Sequence, residues 1–242
     1  MKTLLIIPCY NEENRLPIDE LVHFIERENE GLSFLFVNDG STDNTINILN
    51  KLADTFSFVK VLDLQQNVGK AEAIRTAMLK YTSDEYDYIG YFDADLATPL
   101  AEVNQFIAKA EKFDPIILMG SRVKLLGITD IKRKWYRHYF GRVFATIASS
   151  MLKIPVYDTQ CGAKMIKSSV IKVLFKDSFI SSWLFDVELL FRLKKLPDYN
   201  TNPTPIIELP LSKWEEKGDS KIPISYLFKV PFELVSIYLR YY

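Results

Sequence analysis

Tyr88-Ile89-Gly90-Tyr91-Phe92-Asp93-Ala94-Asp95 decides the reading of this chain. A nearly unbroken apolar run that ends in two carboxylates describes a strand covered on both faces and finishing at a polar edge. Outward from it the pattern repeats. Leu4–Ile7, Phe34–Val37, Val59–Leu62 and Ile116–Met119 read as further buried strands. Between them, residues 18–29, 43–55, 69–81 and 100–113 carry apolar side chains at helical spacing. Strands alternating with helices predict an α/β fold, a mainly parallel sheet flanked by helices. Ligands of such sheets lie beyond the carboxyl ends of the strands. Three polar clusters fall there: Tyr10-Asn11-Glu12-Glu13, Asp39-Gly40-Ser41 and Asp93-Ala94-Asp95.

The second half is less regular. Residues 132–152 predict a long helix, basic at its start, and 184–195 predict another. Residues 205–211 read as an edge strand, because Pro205 and Pro210 cannot donate to a ladder. The chain has 242 residues, 48% hydrophobic and 25% charged, enough for a substantial core. No repeat, low-complexity tract or linker interrupts it, so 1–242 is expected to be one domain.

Charge divides the chain. Residues 1–120 hold 10 Lys+Arg and 20 Asp+Glu, and residues 121–242 hold 20 and 11, so −10 and +9 sum to the net −1. An acidic half suits a metal ion, and a basic half suits an anionic ligand or an anionic membrane surface. The near-neutral sum and the lack of a nucleic-acid motif exclude nucleic acid as the expected partner. The two cysteines, Cys9 and Cys161, form no metal or disulfide pattern, which suits a reduced, cytoplasmic setting. The start, Met1 to Pro8, reads as a strand rather than a signal peptide. No apolar stretch is long enough to predict a spanning helix.

Asp93 and Asp95 offer oxygen ligands suited to Mg²⁺ or Mn²⁺, although acidic turns are also common. Asp39 and Ser41 either contact a ligand or cap the helix that starts near Asp43. Lys70 stands at a helix start, an unfavourable place for a cation, so a functional reason is expected. Arg133 and Arg137 share a helix face. Their neighbours Lys132, Lys134, Trp135 and Tyr136 give the mixture of cations and aromatics found at membrane interfaces. Residues 223–242 predict an apolar helix interrupted by Lys229, Glu233 and Arg240. It would lie in a membrane interface, pack on the domain or form an oligomer contact.

Pro8-Cys9-Tyr10-Asn11-Glu12-Glu13, then Val37 to Thr45, then Asn67-Val68-Gly69-Lys70, then Asp93-Ala94-Asp95 occur in this order. As a set they resemble the nucleotide-binding half of family 2 glycosyltransferases, which have the GT-A fold. Gly120-Ser121-Arg122, Asp158-Thr159-Gln160-Cys161-Gly162-Ala163-Lys164 and Trp183 to Leu190 extend the likeness to nearly the whole chain. They resemble the dolichyl-phosphate glucosyltransferase branch and its polyprenyl-phosphate kin. Two departures are Ala163, where an aromatic is usual, and Leu96, where glycine is frequent.

The resemblance implies a donor site in residues 1–120 and an acceptor-binding half in residues 121–242. Pro8, Tyr10 and Glu12 would line base and ribose, and Asp39 would accept a hydrogen bond from the base. Lys70 would lie near the nucleotide, and Asp93, Ala94 and Asp95 would hold ribose and a Mg²⁺– or Mn²⁺–diphosphate. Inverting transfer of a hexose from a nucleotide sugar, UDP-glucose above all, to a polyprenyl phosphate is implied. Arg122, Arg133 and Arg137 would bind the acceptor phosphate, and Asp95, Arg122 and Asp158 would be the catalytic groups. The enzyme would work peripherally on the cytoplasmic face of a membrane.

Two alternatives stay open. A hydroxyl acceptor in surface-polysaccharide synthesis would need a general base, from Asp158, Asp186 or Glu188, whereas a phosphate monoester, with its second pKa of about 6, arrives ionised. A non-catalytic nucleotide-binding module would bind without transfer.

Overall fold

The computed structural model describes residues 1–27, 31–132, 135–217, 226 and 229–242, and describes helix residues 135–138 and 140 by their backbone alone. The first half forms β1 (Thr3–Cys9), α1 (Ile18–Arg27), β2 (Leu32–Asp39), α2 (Thr45–Thr55), β3 (Val59–Leu64), α3 (Lys70–Tyr81), β4 (Tyr88–Tyr91), α4 (Glu102–Phe113) and β5 (Ile117–Ser121). Every strand and helix expected in this half is present, with ends shifted by two residues at most.

The second half forms β6 (Asp130–Lys132), α5 (Trp135–Leu152), β7 (Lys164–Lys167), α6 (Ser168–Leu174), α7 (Phe185–Lys194), α8 (Pro197–Thr201), β8 (Ile206–Pro210), β9 (Lys213–Glu215) and α9 (Val230–Tyr241). The strand over 205–211 lies at the sheet edge, as its prolines require. Strands β6, β7 and β9 were not expected.

Seven strands make one sheet in the order β3-β2-β1-β4-β7-β5-β8. All pairs are parallel except those of β7, which runs antiparallel to β4 and β5. β6 and β9 pair separately. The chain moves outward from β1 through β2 to β3, then returns to β1's other side as β4. That reversal opens a crevice beyond the carboxyl ends of β1 and β4.

Strand alternation sends side chains to two cores. Leu4, Ile6, Val37, Ile89 and Tyr91 face one cluster, with α3, α6, α7 and α9 and the end of α5. Leu5, Ile7, Phe34, Phe36 and Tyr88 face the other, with α1, α2 and α4. Burial on both faces explains the unbroken apolar runs. Among the described residues no helix is long and apolar enough to cross a membrane.

Candidate active site

The loops that follow β1 and β2 lock into each other. Asn11 N–H donates to Ser41 Oγ at 3.1 Å, and Thr42 N–H donates to Asn11 Oδ1 at 2.9 Å. Asn11 has φ +50°, a left-handed conformation that Asn tolerates better than most residues. Glu12 N–H donates to Thr45 Oγ1 at 2.8 Å, and Asp43 Oδ1 accepts from Thr45 N–H at 3.0 Å. Asp43 thus serves the start of α2, and Ser41 ties the two loops together. Pro8 is half-buried, Tyr10 is exposed and Glu12 is buried where β1 gives way to its loop. Arg15 lies 3.6 Å from Glu12.

Asp39, the last residue of β2, receives N–H bonds from Val68 at 2.8 Å and Gly69 at 2.9 Å. It therefore anchors the loop that leads into α3 and does not cap the helix that starts near Asp43. Burial still raises its carboxyl above the ordinary value, against the pull of these amides. Gly40 makes the packing possible. Its φ is +62°, and a Cβ there would sit 2.3 Å from the Gln66 carbonyl carbon.

Asp93 and Asp95 follow β4 directly. Lys70 Nζ bonds Asp93 Oδ1, which answers why a lysine stands at the start of α3. Burial opposes its charge, but Asp93 and then Asp186 outweigh this and hold the ammonium above its ordinary value. Asp95 Oδ1 accepts from Ala97 N–H at 3.0 Å. Burial first, and the Asp93 charge second, raise the Asp95 carboxyl. Between them Leu96 takes φ +49°, which explains why glycine suits this position elsewhere.

Two carboxylates that repel each other at the mouth of a crevice form an all-oxygen donor set that fits Mg²⁺ or Mn²⁺. Among the described residues no group of three or more His, Cys, Asp or Glu forms a ready cage. The pair suits an ion completed by substrate phosphates, as Mg²⁺ sites commonly are.

The surroundings of Asp93 also draw on the second half. Gly162 lies against Asp93 so closely that a Cβ would fall 1.9 Å from Asp93 Oδ2. The backbone there is held from below. Lys164, fully buried, donates to the Cys161 carbonyl at 2.7 Å and pairs with Asp186 Oδ1 at 2.8 Å. Tyr91 Oη donates to the same Asp186 oxygen at 2.5 Å. The ring closes through β4, because Tyr91 precedes Asp93 by two residues. Burial, and then Asp186, push the Tyr91 phenol well up. The sequence did not indicate that Gly162 and Lys164 support Asp93, although Gly162-Ala163-Lys164 lies within a conspicuous motif.

Arg122 and Asp158 form a second construction. Arg122 Nε and Nη2 reach Asp158 at 2.6 and 2.8 Å, and Arg122 N–H donates to Asp158 Oδ2 at 3.1 Å. The guanidinium also lies 5.4 Å from the Trp214 ring centre. Burial works against the Asp158 charge, but Arg122 outweighs it and holds the carboxyl at about 2. Glu208 on β8 accepts from the Tyr157 and Asp158 N–H groups at 2.7 and 2.6 Å, fixing the loop. The pair borders a cleft of about 260 Å³ whose lining includes Lys124, Arg142, Thr159 and Gln160. Thr159 Oγ1 is buried there without a hydrogen-bond partner. Arg133 lies outside the described residues, as does the Arg137 side chain. Arg142 and Lys124 were not anticipated, because a basic stretch does not show which cations face a cleft.

The pair carries a pH signature. Its carboxyl moves from 3.8 to about 2, so its contribution is complete above pH 3.8 and fades as pH falls through about 2. Asp158→Asn is expected to cost about 2 kcal/mol near neutral pH, the deficit shrinking in acid. Denaturant titrations of both proteins across that range measure it.

Asp186 and Glu188 are structural in their contacts. Glu188 is fully buried, pairs with Arg192 at 2.8 Å and accepts from Ile180 N–H at 2.7 Å and from Tyr241 Oη at 2.8 Å. Cys9 and Cys161 are buried, and neither forms a disulfide. Burial, reinforced by Asp158, pushes the Cys161 thiol up to about 12, far from nucleophilic duty.

The model of the family described as Glycosyl transferase family 2 matches residues 4–175, most of the chain. The chain belongs to glycosyl transferase family 2. Dolichyl-phosphate beta-glucosyltransferase ALG5C of Trichomonas vaginalis is 31% identical over 246 residues, spanning 97% of this chain and 70% of that protein. Dolichyl-phosphate beta-glucosyltransferase of Dictyostelium discoideum is 30% identical over 251 residues, spanning 98% and 74%. Among solved structures, glucosyl-3-phosphoglycerate synthase of Mycobacterium tuberculosis with Mn²⁺, UDP and glucosyl-3-phosphoglycerate aligns at TM-score 0.68 and 16% identity, covering 99% of this chain and 79% of that one. That likeness bears out the GT-A type of fold. In this glycosyltransferase the polar clusters that follow β1, β2 and β4 fall at one edge of the sheet.

Proposed function

We propose that this family 2 glycosyltransferase moves glucose from UDP-glucose to a polyprenyl phosphate with inversion, working peripherally at a cytoplasmic membrane face. One observation carries the choice of acceptor: the three carboxylates that a hydroxyl acceptor would need as bases are already engaged. Asp158 is held bidentate by Arg122, Asp186 by Lys164 and Tyr91, and Glu188 by Arg192. A carboxylate held at about 2 accepts a proton poorly. An acceptor that arrives as a phosphate dianion needs none.

The names of the relatives, dolichyl-phosphate beta-glucosyltransferases, favour the same acceptor class and sugar. UDP bound with Mn²⁺ or Mg²⁺ in the glucosyl-3-phosphoglycerate synthase structures favours the donor and the metal. Neither Cys9 nor Cys161 forms a disulfide, which suits the cytoplasmic side.

In the reaction an acceptor phosphate oxygen forms a bond to the anomeric carbon of glucose, and the bond from that carbon to the UDP oxygen breaks on the opposite face. UDP leaves with the electron pair, and no proton moves. A divalent cation held by Asp93 and Asp95 would act as a Lewis acid on the leaving diphosphate. Lys70 and Gly162 fix the Asp93 carboxylate from two sides. Asp158 holds the Arg122 guanidinium, whose remaining N–H groups would take the acceptor phosphate, with Lys124 and Arg142 of the same cleft adding positive charge. Tyr10, Pro8 and Glu12 would hold base and ribose. Asp39 would meet the base with the lone pairs its two amides leave over.

A donor and acceptor panel tests the proposal. Transfer from UDP-glucose to a short-chain polyprenyl phosphate is expected, with a rate that climbs through about pH 6 as the acceptor ionises. An acceptor phosphonate of higher pKa should move that limb upward. Transfer confined to free hydroxyl acceptors would overturn the reading.

A further inference from the structure

α9 has two apolar faces, and the protein uses one. Leu234 and Ile237 are buried against the body, where Tyr238 and Tyr241 meet Phe191 of α7. On the other side Phe232, Leu239 and Tyr242 are 76%, 73% and 75% exposed, with Val235 between them. Their spacing of three and four residues makes one stripe. The only carboxylate of the helix, Glu233, turns inward to Ser181 and Tyr226. What remains charged outside is cationic. Lys229 and Arg240 are exposed at the two ends of the helix. At its C-terminal end a groove of about 170 Å³ is lined by Lys153, Lys194 and Lys195 beside Tyr241 and Tyr242. Among the described residues no Asp or Glu side chain lines that groove.

α5 joins this surface to the acceptor cleft. Its residues Gly141, Arg142 and Ala145 line the cleft, and its Met151 lines the lysine groove. From Arg142 to Met151 the axis advances about 14 Å. Along the way α5 exposes Val143 and Ile147. Both helices belong to the cluster that surrounds α7.

We infer that the outer face of α9, with the lysine groove and the exposed stripe of α5, docks on an anionic lipid bilayer. An apolar stripe ringed by cations and cleared of its carboxylate matches anionic headgroups above acyl chains. A second copy of the chain would bring the same cations against each other. The docking would deliver a lipid-tailed acceptor to the cleft, and to that extent it rests on the transferase reading.

The experiment is co-sedimentation of the whole chain with vesicles that contain no polyprenyl phosphate. One set is phosphatidylcholine alone, and the other is roughly one-third phosphatidylglycerol. Binding is expected on the anionic set only, weakening with salt. It should fall roughly tenfold or more in Phe232→Ser/Leu239→Ser and in Lys153→Glu/Lys195→Glu. These exposed residues lie outside the site, so both variants should keep wild-type transfer to a water-soluble, short-chain polyprenyl phosphate. Absent binding, equal binding to both vesicle types, or undiminished binding of both variants would overturn the inference. So would a concentration-dependent dimer seen by light scattering and abolished by Phe232→Ser/Leu239→Ser. Vesicle binding without transfer to any phosphate acceptor would sink the transferase reading and leave the docking surface standing.

Discussion

Asp95→Asn is expected to lower divalent-dependent transfer by roughly three orders of magnitude or more, the loss that follows when a metal-held charge clamp is removed. The fold should not suffer. Asparagine keeps an oxygen for the Ala97 N–H that Asp95 Oδ1 now accepts. Burial and the neighbouring Asp93 both work against the Asp95 charge, so removing it relieves a repulsion. The variant without ligand should therefore melt at or slightly above the wild-type temperature. The divergence appears on adding Mn²⁺ and UDP. Wild type gains stability by mass action, and the variant gains little. Initial rates and paired thermal melts read both halves of the expectation. Full activity of Asp95→Asn in excess chelator would remove the metal from the mechanism.

Gly162→Ala is expected to cost roughly a hundredfold or more in transfer, the scale of a small misplacement of a reacting group. The new methyl would overlap Asp93 Oδ2, with 1.9 Å between them. The backbone has little room to withdraw, because Lys164 grips the neighbouring Cys161 carbonyl and is itself clamped by Asp186. Asp93 must turn instead, which breaks its pairing with Lys70. The loss should show in the affinity for UDP with Mn²⁺, measured by titration calorimetry, and in the KM for donor. The KM for acceptor should hold. Gly120→Ala is the control. Its methyl would meet Cys161 Sγ and Leu211 Cδ2 at 3.0 Å, atoms that can shift. It should cost about 1 kcal/mol of stability and leave donor affinity alone. Equal donor loss in both variants would argue for general disruption rather than a displaced Asp93.

Asp93 and Asp95 stood out because an apolar strand pattern delivers them to a sheet edge. Lys70 stood out because a cation at a helix start asks for a reason. Asp39 stood out at the sheet edge, but its bonds to the Val68 and Gly69 N–H groups did not, since that loop is remote in the chain. β7 escaped notice altogether. It is four residues long and begins with a buried lysine, so it shows no strand periodicity. Yet β7 inserts between β4 and β5 and brings Gly162 against Asp93, so residues of the second half help to shape the surroundings of the acidic pair.

The sequence by itself determined the α/β alternation, the sheet edge that would hold chemistry, and the acidic pair. Those follow from side-chain period and turn chemistry, which neighbours along the chain express. Tertiary structure alone decided which charged groups are free to act. Asp158, Asp186 and Glu188 look equally available in the sequence. Only the folded chain sets Arg122, Lys164 and Arg192 on them, because an ion pair depends on distances of a few ångströms between segments brought together by a shared core.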